Sequence, residues 1–288
     1  MTQEAKVALV TGATSGIGLA AARLLAQQGH RVFVCARGEG TLLRTVKDLQ
    51  DEGHDVDGVT ADVRDPASID AGVREVLDKA GRIDLLVNNA GGSVMGAIEE
   101  TSLEQARDLF EVNFFGAARL TQAVLPAMRA QKTGRIVFIS SVLGFLPAPF
   151  MGFYAASKHA LEGLAESLDH ETRTLGVRVA LVEPGWTRTG IDSNGATAAR
   201  RVDDYGVARD RVRELVRASV SAGDDPSVIA AIVLEAATAK KPRLRYPAGK
   251  RAGLLARLRR YLPAGVFDSA IRRQFRLDPA GGSIAPVA

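Results

Sequence analysis

Tyr154 and Lys158 stand four residues apart in the stretch FYAASKHAL, Phe153–Leu161. On a helix that spacing puts both side chains on one face. A phenol titrates at about 10, so near neutral pH it is a poor base. A neighbouring ammonium favours the phenolate and lowers that value. The pair could therefore pass a proton to or from an oxygen of a bound molecule. An ordinary amphipathic helix carries such pairs too, so the spacing alone is not diagnostic.

A second candidate lies near the start of the chain. The run Val7–Val10 leads into TGATSGIG, Thr11–Gly18, with Gly12, Gly16 and Gly18 spaced G-x-x-x-G-x-G and a helix expected over Ile17–Gln28. Glycines permit a sharp turn and a close phosphate approach, and a helix N-terminus offers free N–H groups. A tight loop with no ligand would look the same. The next apolar run ends at Arg37 and Gly38. In a doubly wound sheet that position faces an adenine ribose. An acid there would hold the 2′-hydroxyl, whereas an arginine suits a 2′-phosphate through paired charge-assisted bonds. NADP(H) is therefore expected over NAD(H), which stays possible. The plain alternative is a solvated arginine, partly neutralised by Glu39.

These residues need a frame. Short apolar runs at Val7–Val10, Arg31–Ala36, Val56–Thr60, Leu85–Asn88, Arg135–Ile139 and Arg178–Glu183 alternate with helix-period stretches. The runs show no clean alternation, as in strands buried on both faces. Ile69, Val73, Val76 and Leu77 mark the apolar face of one intervening helix. The repeated order predicts an α/β domain with a parallel sheet and helices on both faces. LRYPAG is expected to add the last strand.

Composition narrows the function classes. The 288 residues are 46% hydrophobic and 24% charged, which is ordinary globular composition. One cysteine, Cys35, excludes an internal disulfide, and four scattered histidines build no zinc pattern. No metal site is expected. The N-terminus lacks the pattern of a signal peptide, and no run reaches the ~18 apolar residues of a membrane span. A cytoplasmic location is expected. Lys240–Arg276 holds twelve Lys/Arg and one acid, Asp268, so this segment carries +11 and the rest −7 of a whole-chain +4. Basicity thus belongs to the tail, and no nucleic-acid partner is expected.

Taken in order, the motifs resemble the short-chain dehydrogenase/reductase family. TGATSGIG is followed by Asp62–Val63, NNAG from Asn88, VNFFG with Asn113, ISS ending at Ser141, YAASK and PGWTRT from Pro184. The first half is most similar to ketoreductases of aromatic polyketide synthesis. The stretch Ser141–Thr189 is closer to hydroxysteroid and retinol dehydrogenases. The resemblance implies a single doubly wound Rossmann-type domain over residues 1–250 and a catalytic tetrad of Asn113, Ser141, Tyr154 and Lys158. Tyr154 would be the acid/base and Ser141 would polarise the substrate oxygen. Lys158 would also hold the nicotinamide ribose, and Asn113, on the long helix after Leu103, would anchor a water. Ser140 competes with Ser141, which matches the family spacing to Tyr154. Gly12, Thr14, Ser15, Gly16, Ile17 and Gly18 would form the phosphate turn. Asp62 and Val63 would frame the adenine, with Asn89, Ala90 and Gly91 on the adenosine side. Pro184, Gly185, Thr187 and Thr189 would border the nicotinamide. Ala155, Ala156 and Ser157 would leave room for its ribose. The implied activity is ketone–alcohol interconversion on a hydrophobic substrate that is steroid-, retinoid-, polyketide- or lipid-like. An NAD(H)-dependent alcohol dehydrogenase of the same family and a non-catalytic NADP-binding protein are the rivals.

Residues of about 190–225 would fold over the substrate as a lid. Phe145, Leu146, Phe150, Met151, Trp186 and Tyr205 are candidate pocket walls. Family members usually pair, so a homodimer or homotetramer is implied. Residues 251–288 form a basic, partly amphipathic extension whose Leu254, Leu258, Tyr261 and Leu262 share a helical face. Such a helix can lie on an anionic membrane or dock an acidic carrier domain. Packing over its own substrate pocket or a partner subunit is the favoured reading.

Overall fold

The structure, a computed structural model, describes residues 5–191 and 195–277. Part of the expected lid, at 192–194, and the end of the expected extension, at 278–288, lie outside the described residues.

The chain alternates as expected. The order is β1 (Val7–Thr11), α1 (Gly16–Gln27), β2 (Arg31–Ala36), α2 (Glu39–Asp51), β3 (Val56–Thr60), α3 (Pro66–Ala80) and β4 (Leu85–Asn88). A two-residue β5 (Val94–Met95) and α4 (Leu103–Phe110) follow, then a π-helical turn, Glu111–Gly116, running into α5 (Ala117–Gln131). Next come β6 (Gly134–Ile139), α6 (Gly152–Thr172), β7 (Val177–Pro184), β8 (Ala196–Thr197), α7 (Gly206–Ser221) and α8 (Pro226–Thr238). The last elements are β9 (Arg245–Ala248), α9 (Ala252–Tyr261) and α10 (Ala264–Gln274). Local signals explain several starts. Asp65 caps α3 with Pro66 at its first position, Ser102 and Gln105 close a reciprocal cap on α4, and Asp225 caps α8 ahead of Pro226.

Seven strands form one parallel sheet in the order β3-β2-β1-β4-β6-β7-β9. Ala8 and Val10 point to a core under α1, α2 and α8, while Val7 and Leu9 point to one under α3, α5 and α6. That two-sided burial is why the strands read as continuous apolar runs. The order reverses between β1 and β4, and the crevice outside the carboxyl ends there is where such sheets bind ligands.

A third apolar cluster sits at that end, built from Leu143, Leu146, Met151, Val212 and Val216 with Phe267 and Phe275 from the tail. Helices α9 and α10 are therefore packed on the body through residue 277. The expected apolar stripe packs only in part, through Leu262. Leu254 is 51% and Tyr261 74% exposed, while Ala252, Leu255 and Leu262 turn inward.

Candidate active site

The carboxyl ends of β1, β2, β4, β6 and β7 open on one cavity of about 770 Å³. Its first end is the turn after β1. Gly12 has φ +60°, and a Cβ there would stand 2.9 Å from Ala90 Cα, so no side chain fits. Asn89 braces this turn. Its amide donates to Thr11 O at 2.9 Å and Gly12 O at 3.0 Å. The Thr11 hydroxyl in turn accepts the N–H groups of Asn89 and Ala90. Gly18 does not border the cavity: a Cβ there would meet Asn89 Nδ2 at 2.4 Å, so its glycine serves helix packing. Thr14, Ser15, Gly16 and Ile17 do border it. Ser15 precedes α1 without capping it, and no acid lies in the first turn. The helix thus presents unsatisfied N–H groups to the cavity, a place for an anion.

Arg37 and Gly38 lie at the end of β2 on the same cavity, and Arg37 is exposed. Arg37 makes no ion pair with Glu39 or any other acid among the described residues. Asp62, Val63, Ala90 and Gly91 line the adjoining wall, and Pro184, Gly185, Thr187 and Thr189 the opposite one. Asp62 also accepts the Arg64 N–H at 3.0 Å, which fixes the loop after β3. An open helix N-terminus, an unpaired guanidinium and a groove between them fit a nicotinamide dinucleotide.

Ser141, Tyr154 and Lys158 meet at the cavity's other end. Ser141 follows β6, and its hydroxyl accepts the Leu143 N–H at 3.1 Å, capping the short turn Val142–Gly144. Tyr154 and Lys158 are buried on α6, at 8% and 4% exposure. Burial pushes the Tyr154 phenol up to about 12, against the opposing pull of a hydrogen bond from Ser141. Burial also pulls Lys158 down to about 8, opposed by the nearby Glu162 carboxylate. The expected lowering of Tyr154 by its lysine does not prevail: desolvation wins. Lys158 Nζ donates to Ile139 O at 2.8 Å and stands 5.9 Å from the Tyr154 ring centre.

Asn113 lies in the π-helical turn rather than on a regular long helix, and it does not border the cavity. Its Nδ2 donates to Gly92 O and Ser157 Oγ, both at 3.0 Å, and its Oδ1 accepts Gly92 N–H at 2.8 Å. Ser157 passes the link on to Tyr154 O at 2.8 Å. Asn113 therefore ties the Gly91–Gly92 loop to α6. Ala155, Ala156 and Ser157 do not line the cavity, so the expected space for a ribose is not theirs. Ala155 and Ser157 are buried, and Ser157 is spent on the Asn113 link.

The substrate end differs most from expectation. Leu146, Met151 and Trp186 border the cavity, but Phe145, Phe150 and Tyr205 do not. Phe150 takes φ +61° and packs edge-on against Tyr205 with ring centres 6.3 Å apart. The Tyr205 hydroxyl donates to Glu99 at 3.1 Å, so both rings fasten the segment expected as a lid instead of lining the cavity. That segment is latched further by β8 pairing with β5 and by Arg209 on α7, which pairs with the fully buried Glu100. The walls that sequence reasoning missed come from elsewhere: Leu109 and Val112 near α4, Val216 and Val220 on α7, and Leu255, Ile271 and Phe275 from the tail. Only the tail's inward helical face, Leu255 with Ala252, carried a readable signal.

A doubly wound sheet with an anion-receptive turn at one end of its crevice and a phenol, an ammonium and a hydroxyl at the other defines a dinucleotide-dependent oxidoreductase. The chain belongs to the short chain dehydrogenase family, whose model matches residues 6–199. It is 42% identical over 219 residues to a monensin polyketide synthase putative ketoacyl reductase of Streptomyces virginiae, covering 75% of this chain and 82% of that one. It is 32% identical over 270 residues to a 3-ketodihydrosphingosine reductase of Bacteroides thetaiotaomicron, covering 93% and 97%. Among solved structures, an actinorhodin polyketide ketoreductase variant with NADPH matches with TM-score 0.72 and 39% identity, covering 83% and 92%. A Burkholderia phymatum short chain dehydrogenase/reductase in complex with NAD matches with TM-score 0.79 and 31% identity, covering 88% and 92%. The chain is thus an oxidoreductase of this family. No helix among the described residues is long and apolar enough to cross a membrane, and no group of potential metal ligands occurs among them.

Proposed function

We propose that the protein is an NADP(H)-dependent ketoreductase acting on a hydrophobic, lipid- or polyketide-like ketone. The observation that carries this is the convergence of Ser141, Tyr154 and Lys158 on a cavity whose far end is bordered by the free Arg37. The similarity to ketoacyl and ketodihydrosphingosine reductases supports a keto substrate, and the apolar walls from α7, α9 and α10 support a hydrophobic one.

The turn Gly12–Ile17 would hold the pyrophosphate, Arg37 the 2′-phosphate, and Thr189 with the backbone near Gly185 the carboxamide. When bound, the reduced nicotinamide supplies the hydride that adds to the carbonyl carbon. Ser141 donates a hydrogen bond to the carbonyl oxygen and stabilises the charge that grows there. Tyr154 gives its phenolic proton to that oxygen, completing the alcohol. A phenol held near 12 is fully protonated at neutral pH, the form that reduction requires. Lys158, as an ammonium, then favours the phenolate left behind. Asn113 acts at one remove, holding the Gly91–Gly92 loop against α6.

Replacement of Tyr154 by Phe should cut kcat/KM for a hydrophobic ketone at least about 10³-fold and leave NADPH binding near wild type. Substantial residual turnover overturns the assignment. Arg37→Ala should raise KM for NADPH about tenfold or more and spare NADH. An unchanged ratio refutes Arg37 as the phosphate contact.

The outward stripe of α9 favours a second reading, about where the substrate is met. Leu254 and Tyr261 stand exposed beside Arg257 and Arg260, on a helix whose other face lines the substrate end. A basic helix with exposed apolar residues suits an anionic lipid surface. Wild type should then co-sediment with phosphatidylglycerol vesicles and not with phosphatidylcholine vesicles, and L254S/Y261S should lose that binding. Exposed Leu103 and Phe115 supply the complementary proposal of a homo-oligomer through α4 and the adjoining helical turn.

A further inference from the structure

Behind Lys158, three carboxylates surround one guanidinium. Arg245 on β9 reaches Glu162 at 3.2 Å and Glu166 at 3.1 Å on α6, and Glu183 on β7 at 3.4 Å. Glu162 and Glu183 are buried, at 5% and 1% exposure, whereas Glu166 is half exposed. Glu162 lies one helical turn beyond Lys158, and its charge acts on that lysine.

The cluster is short of partners. Ser140 Oγ, Glu162 Oε1 and Glu183 Oε1 are all buried without a hydrogen-bond partner, although Ser140 lies close enough to Glu162 to favour its ionised form. A Cβ placed on Gly144 would stand 2.6 Å from Ser140 Oγ and 2.9 Å from Glu162 Oε1, so these two atoms face a common point. Two desolvated carboxylates sharing one cation cannot both stay ionised without strong cost. A proton retained by one of them relieves the repulsion and supplies a donor that the site lacks.

We propose that Glu162 and Glu183 act as a pair that keeps one proton at neutral pH, carried by Glu183, and that its charge sets the protonation of Lys158. Both are positioning residues; neither borders the cavity. Other titratable and polar groups face the pair. Helix α6 contributes Lys158, His159 and Glu166, β9 contributes Arg245, and the segment after β6 contributes only the neutral Ser140. Burial, then the charge of Glu162, pushes Glu183 up to about 8, against the opposing pull of Arg245. Burial raises Glu162 too, with Ser140 and Arg245 opposing. Lys158 and Glu183 therefore titrate in the same range, and the charge of Glu162 acts on both, which links them. When pH rises, the pair gives up its proton and becomes a dianion, which holds Lys158 as an ammonium and extends turnover into alkali.

The proposal rests, for its effect on turnover, on Lys158 being part of the reaction; the retained proton does not. Infrared spectroscopy on the whole protein reads that proton directly. Wild type should show a carboxylic-acid carbonyl band that disappears as pH rises through about 8. Glu183→Gln, which mimics the protonated acid, should lack that band. Glu162→Gln should let it disappear at lower pH, because the repelling neighbour is gone. In both variants the alkaline limb of kcat/KM for NADPH-dependent ketone reduction should move to lower pH by about one unit, with turnover at the optimum within about twofold for Glu183→Gln. Absence of a titrating band in wild type, or its survival in Glu183→Gln, overturns the shared proton. An unmoved alkaline limb in folded Glu183→Gln overturns the link to Lys158. If the ketoreductase reading itself fails, turnover is missing in every variant while the band behaves as described.

Discussion

Helix α6 carries two buried acids that the fold treats in opposite ways. Asp169, near its C-terminal end, is 1% exposed and meets two guanidinium groups and a backbone N–H: Arg173 at 2.5 Å, Arg178 at 2.9 Å and Val179 N at 2.9 Å. Burial pushes its carboxyl up, but these donors more than offset that and hold it at about 2. Glu162, two turns nearer the active site, shares a single guanidinium with Glu183 and Glu166. One acid has more donors than it needs, and the other set has fewer. Satisfaction marks the joint that fixes α6 to β7. Shortage marks the stretch beside Lys158, where a movable proton is worth more than rigidity.

The largest expected effect breaks the satisfied side. Asp169→Asn removes a buried charge whose partners stay behind, which should cost about 3 kcal/mol of stability. The pH dependence has a definite sign. The folded carboxyl sits below its ordinary value, so its contribution is full above that value and is lost as pH falls through about 2. Thermal melts of wild type should therefore drop toward acid more steeply than those of the variant. Equal slopes would place the stabilisation elsewhere.

A mid-sized effect sharpens the contrast. Arg245→Met strips the under-supplied cluster of its one cation. Arg245 is 41% exposed, so screening limits the loss to about 1–2 kcal/mol at neutral pH. Glu183 is held above its ordinary carboxyl range, so the stability it contributes is present at low pH and is lost as pH rises through about 8. Without Arg245, Glu183 is pushed higher still, so the loss should run on to higher pH and grow larger there while remaining small in acid, where the carboxyls are protonated. Urea unfolding at acid, neutral and alkaline pH would show it, and a loss independent of pH would reduce Arg245 to a packing role.

The same contrast explains what the sequence could reveal. The strands were legible because two-sided burial leaves continuous apolar runs, and β2, β3 and β4 fall at their expected bounds. The phosphate turn and the Tyr154–Lys158 pair were legible because each is a local spacing on one element. Asn113 was legible as a residue but not as a geometry. Its partners Gly92 and Ser157 are distant in sequence, and nothing local marks a π-helical turn. The substrate wall was least legible. Phe150 and Phe275 are both aromatic, yet only the second reaches the cavity, because a positive φ turns Phe150 toward Tyr205. Charge shortage around Glu162 was hidden for a similar reason. It is a property of three elements that meet, and each element alone shows an ordinary acid or base.

The smallest effect separates two adjacent hydroxyls. Ser140 and Ser141 follow β6 side by side and both border the cavity; the first is 3% exposed and its hydroxyl faces the acid cluster, while the second caps the turn Val142–Gly144. Ser140→Ala deletes a buried hydroxyl that has no hydrogen-bond partner, so stability should change by no more than about 0.5 kcal/mol and turnover should stay within about twofold. Its trace should appear in the infrared spectrum. Loss of the hydroxyl that favours ionised Glu162 shifts the shared proton toward that residue. Ser141→Ala should instead cut kcat about 10²-fold or more, because it removes the donor to the developing oxyanion. A large loss of turnover in Ser140→Ala with little in Ser141→Ala would exchange their roles and bring the acid cluster into direct contact with the reacting oxygen.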